Sequence, residues 1–132
     1  MITVEKLPDE PIVIVNFLNP FDVNVDISEL YSKLLQEFEG APVPLWDITV
    51  ALDVKVDFGE IVKGLALLTK GDFAILAHPN AAGYIVVADN QLIKLSAAAL
   101  GQVQYGSISV QVVGTIEEAH QIVRQNIAMR RG

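Results

Sequence analysis

The chain has no cysteine, one tryptophan, two histidines, and nine basic residues against sixteen acidic ones. Without cysteine there is no disulfide scaffold, no thiolate metal site and no cysteine nucleophile. The shortage of cations leaves a net charge of −7, which argues against nucleic acid or an anionic membrane as the main partner. Long hydrophobic runs are missing too. The longest uninterrupted apolar stretches, 73–77 and 84–88, have five residues each, against roughly 18 for a transmembrane segment. Residues 1–10 mix charges and have no apolar core, so they do not read as a targeting signal. A cytoplasmic location is expected.

What the chain has in quantity is apolar side chains. Hydrophobic residues make up 52% of its 132 positions and charged ones 19%, and the mean hydropathy is +0.41. Disorder is excluded, and a single domain with a sheet buried on both faces fits. Charge is uneven: residues 1–60 hold twelve acids and three bases, the remainder four acids and six bases. Arg124, Arg130 and Arg131 form the one basic cluster, which reads as cations near a helix C-terminus.

Period and punctuation predict the order ββαβαβαβα. Residues 2–7 alternate, 12–18 are β-branched, and Pro8-Asp9-Glu10-Pro11 between them is a turn, so the chain opens with a hairpin. Asn19-Pro20 stops the second strand. Asp26-Ile27-Ser28-Glu29 reads as a capping box for a helix that buries Ile27, Leu30, Tyr31, Leu34, Leu35 and Phe38 and ends at Gly40. A strand over 46–54 follows, then a helix from about Asp57 with Phe58, Ile61, Val62, Leu65 and Leu68 inward. Residues 73–77 read as a turn rather than a strand, because a second hairpin would interrupt the βαβ series. A buried strand over 84–88 comes next. Asp89 and Asn90 look like caps for a helix over 91–100, and a last strand spans 108–113. Thr115-Ile116-Glu117-Glu118 is a second capping box, and the final helix is expected to bury Ile116, Ala119, Val123 and Ile127. Helices between successive buried strands imply a mixed, mostly parallel α/β sheet with the hairpin strand antiparallel at one side.

Chemical motifs are few. No glycine-rich phosphate loop opens any helix, and Gly101 and Gly106 follow a helix rather than precede one. Neither His78 nor His120 has a histidine or glutamate at ligand spacing. His120 reads as a packing or interface residue and His78, before Pro79, as a turn residue. No serine lies in a nucleophile elbow, and Asp9 and Glu10 sit at the wrong end of the first parallel strand for an aspartyl-phosphate site. With no convergent acid, base and nucleophile, a non-enzymatic role is expected, with neither cofactor nor metal.

The element order, together with the strand Asp47-Ile48-Thr49-Val50-Ala51-Leu52-Asp53-Val54 running into Lys55-Val56-Asp57-Phe58-Gly59-Glu60-Ile61, resembles the STAS fold of the SpoIIAA-like anti-sigma-factor antagonists. The closing Glu117-Glu118-Ala119 helix is similar as well. The resemblance implies a bacterial regulatory or protein-interaction module. Family members carry a phosphorylatable serine or threonine after the aspartate. Here Asp57 is followed by Phe58 and Gly59, so the resemblance implies the fold without the phosphoswitch. It also brings a second class of function, a small carrier of a hydrophobic or lipid-like ligand, because the group is related in fold to lipid-transfer domains. A homodimer is expected from the apolar content. The ligand or partner surface is expected at the carboxyl edge of the sheet, where Asn19, Asp22, Asn24, Lys55, Asp57, Asp89 and Asn90 meet the helix N-termini.

Overall fold

A computed structural model describes residues 1–70, 75–102 and 108–131. Its elements follow the expected order: β1 (Ile2–Lys6), β2 (Ile12–Phe17), α1 (Val23–Gly40), β3 (Leu45–Val50), α2 (Phe58–Lys70), β4 (Ala81–Val87), α3 (Gln91–Ala99), β5 (Val110–Val113) and α4 (Ile116–Arg131). The strands lie in the sequential order β1-β2-β3-β4-β5, with β1 antiparallel to β2 and every other pair parallel.

Alternation along the strands feeds two cores. Val13 and Val15 of β2 pack with Ile27, Leu30, Leu34 and Phe38 of α1 on one face. On the other face, Ile12, Ile48, Ile85 and Val87 pack with Ala119 and Val123 of α4. The three helices that connect parallel strands share the first face, and α4 alone covers the second. That division follows from the monotonic strand order, since repeated crossovers of one hand that always step to the next strand stack their helices on one side. Gly83 has its own reason on the α4 face: it pairs with Trp46, and a Cβ there would lie 2.3 Å from the indole ring.

Several local expectations are corrected. The first helix starts four residues earlier than its capping-box pattern suggested. Asp22 is the N-cap, accepting from the amides of Asn24 and Val25. Asp26 lies inside the first turn and is buried, where its carboxylate takes the Asp22 N–H and the Met1 ammonium. The third strand leaves the ladder at Val50 instead of residue 54, although Ala51 and Val54 remain buried with Ala88 and Ile93. Phe58 and Val62 face outward, because the inward arc of α2 centres on Gly64, its one fully buried residue. Ile116 is likewise 40% exposed. Of the stretch 73–77, Phe73 and Ala74 lie outside the described residues, and Leu76 and Ala77 form a turn. Gly106 and the side chains of Arg130 and Arg131 also lie outside them. Arg124 stands mid-helix, where its guanidinium donates to both carboxylate oxygens of Glu10 at 2.8 and 2.9 Å.

Candidate functional site

The carboxyl edge is built largely from caps. Asp57 and Glu60 form a reciprocal capping box at the start of α2: Glu60 N–H donates to Asp57 Oδ1 at 2.7 Å and Asp57 N–H to Glu60 Oε1 at 3.0 Å. Asn90 caps α3, accepting from the amides of Leu92 and Ile93. Thr115 caps α4 by accepting from the Glu118 amide. Asn19 ties two loops together, its side chain donating to Asp53 O and accepting from Lys55 N–H at 2.8 Å. Asn24 and Lys55 are exposed, as is Asp89. The structure thus brings Asn19 to the Lys55 loop and places Asp22, Asp57 and Asn90 at three separate helix starts. Ligands of open α/β sheets bind where the strand order reverses and neighbouring helices diverge. This strand order never reverses, so the topology supplies no such switch point.

A cavity reaches this edge at Val54, Val56 and Glu60 and extends from there beneath the helices. Lying between the sheet and the helices α1, α2 and α3, it has a volume of about 160 Å³. Its floor is Phe17, Asp47, Thr49, Tyr84, Val86 and Val110 from four strands. Leu30 and Leu34 of α1, Gly64 and Leu68 of α2, and Ile93 and Ala97 of α3 form its roof. None of the seven edge residues lines it.

One carboxyl group sits on this floor. Asp47 is 2% exposed and pairs across the ladder with Val13 on one side and Tyr84 on the other. Thr49, two residues on and therefore on the same face, donates its hydroxyl to Asp47 Oδ1 at 2.6 Å. Burial pushes the Asp47 carboxyl up to about 7, and the Thr49 hydrogen bond opposes that only in part. Tyr84 donates to Leu76 O at 2.5 Å. Burial first, and then the neighbouring Asp47 charge, pushes its hydroxyl above the ordinary phenol value.

His78 has structural partners. It stacks on Phe38 with ring centroids 5.1 Å apart, and its Nδ1 accepts the Asn80 amide, as a turn residue should. His120 lies on the outer side of α4, near Arg124. Among the described residues no group of three or more acidic or histidine side chains could hold a metal ion, and no helix is long and apolar enough to cross a membrane.

Asp47 and Thr49 went unnoticed as site residues because a strand's burial on both faces hides which positions look into a void. The signal was nonetheless there: an acid inside the apolar strand Leu45–Val50, with a hydroxyl residue two positions later. No family model, no curated protein and no solved structure matches the chain, so its function has to be argued from this geometry.

Proposed function

We propose that the domain is a small carrier that binds an apolar molecule in the cavity beneath α1, α2 and α3. The observation behind this reading is the cavity itself: about 160 Å³, walled chiefly by aliphatic and aromatic side chains, with a few polar groups on its floor. An apolar cavity of about 150 Å³ stays dry and accepts benzene, so this volume suits a small ring or a short alkyl chain. Binding is driven by removal of the ligand's apolar surface from water.

The test is thermal unfolding of the full chain with toluene as the probe. Ligand at about 100-fold above its Kd adds about 2.7 kcal/mol of stability, which a melting curve resolves as a rise in Tm. Ala97→Leu, which puts three carbons into the cavity from α3, should abolish the toluene shift without lowering Tm in the absence of ligand. No shift in the unsubstituted protein would remove the carrier reading.

A second reading, the STAS-like interaction module, draws on Phe58, Leu95 and Val62, which are 69%, 58% and 42% exposed on the adjacent helices α2 and α3. A homodimer through them would bury more than about 1,000 Å². Sedimentation as a monomer at micromolar concentration would count against a dimer.

A further inference from the structure

We infer that the cavity selects a small apolar molecule carrying a protonated amine, held by the Asp47 carboxylate. The inference rests on the carrier reading and specifies its ligand.

Hydrogen-bond accounting comes first. Three hydroxyls reach the cavity, and each hydrogen is already committed within the protein. Thr49 donates to Asp47 Oδ1 at 2.6 Å, Tyr84 to Leu76 O at 2.5 Å, and Ser96 to Ile93 O at 2.7 Å. Among the described residues Thr49 is the donor to Asp47, on Oδ1, and no fully buried side-chain oxygen lacks a partner, so Oδ2 is reached from the cavity. With Asp47 ionised, as at pH 8, the polar side chains of the lining therefore offer acceptors, and a ligand that completes them has to bring hydrogens. An ammonium brings three and accepts none.

Charge points the same way. The ionisable groups on the cavity wall are Asp47, Tyr84 and, from α2, Glu60, and none of the described lining residues is lysine, arginine or histidine. A carboxylate ligand would meet acids and no cation, with its own desolvation uncompensated. A cationic ligand supplies the countercharge that Asp47 lacks. The cost of burying an ion pair is usually shared by two groups. Here the fold already holds the Asp47 carboxyl largely out of water at 2% exposure, so most of the new desolvation falls on the ammonium. A neutral apolar ligand fills the same volume but leaves Oδ2 without a donor.

The experiment compares four probes of similar size at pH 8, by calorimetry on the full chain: benzylamine, benzyl alcohol, acetophenone and benzoate. Benzylamine should bind at least tenfold tighter than benzyl alcohol, and benzoate weakest of all. Asp47→Asn keeps the shape and removes the charge; it should erase the benzylamine preference while benzyl alcohol binds within about threefold of its original affinity. That retained binding also shows that the variant folds with its cavity intact. Equal binding of benzylamine and benzyl alcohol overturns the amine inference and leaves the carrier reading standing. Tightest binding of acetophenone does the same, because it would mean that a protonated Asp47 reads a carbonyl. Binding of none of the four overturns both.

Discussion

A single carboxylic acid in a largely aliphatic cavity sets the residue-scale chemistry of this domain. The Asp47 carboxyl has its ordinary value near 3.8 in the unfolded chain and about 7 in the folded one. Between those values the folded chain keeps a proton that the unfolded chain has lost. The contribution of this group to stability is therefore greatest in acid, and it falls as pH rises towards 7, by on the order of 4 kcal/mol. Asp47→Asn cannot titrate. The Tm of that variant relative to the unsubstituted protein should climb between about pH 4 and pH 7 and level off above, as read by circular dichroism melts across the range. A difference that stays constant with pH would show that Asp47 is ionised with no penalty, and so is not buried as described.

At the scale of elements, the helix starts and the helix ends are secured differently. Asp22, Asp57, Asn90 and Thr115 cap their own helices within three residues, which is a local matter. The C-terminus of α1 is secured from far away. Asn80, in the turn before β4, donates its amide to Phe38 O at 2.6 Å and to Ala41 O at 3.2 Å, and its neighbour His78 stacks on the Phe38 ring. Removing the Asn80 amide takes that donor from Ala41 O and leaves Phe38 O with only the longer bond from the Ala41 N–H at 3.4 Å. Asn80→Ala should cost about 1–3 kcal/mol, as for a partly buried acceptor left unsatisfied, measured by urea unfolding at pH 7. A loss under about 0.5 kcal/mol, typical of a surface change, would mean that water replaces the side chain freely.

Over the whole molecule, opposing titrations should give stability a maximum. Asp26 is buried, which works against its charge. The Met1 ammonium and the Asp22 amide outweigh that and hold its carboxyl below the ordinary value. Glu10 is held low by its hydrogen bonds to Arg124, which join the β1–β2 turn to α4. Stability from these two is present above the ordinary carboxylate range and is lost as pH falls through their lowered values, the opposite sense to Asp47. The Tm of the unsubstituted protein is expected to peak at about pH 4 to 5, to decline in stronger acid and to decline again as pH rises towards 7, whereas Asp47→Asn should lose most of that second decline. A profile of the unsubstituted protein still rising at pH 8 would contradict the balance.

Much of the architecture was determined by sequence alone. Period-two alternation in 2–7, β-branched runs at 12–18 and 84–88, helical faces between them, and caps at Asn90 and Thr115 are local patterns, each decided by neighbours a few residues away. Where two local signals competed, tertiary contact chose. Asp26 could have capped α1, but a buried carboxylate beside the Met1 ammonium took it into the first turn, and Asp22 became the cap. Phe58 and Val62 fit an apolar helical face, yet the packing of Gly64 towards Val23 turned them outward. The cavity belonged wholly to the tertiary level. It depends on strands laid in monotonic order, on three helices gathered on one face, and on the gap left between them over Asp47, Thr49 and Tyr84. A void has no sequence pattern of its own, because its walls come from seven elements and its position from how closely their side chains meet.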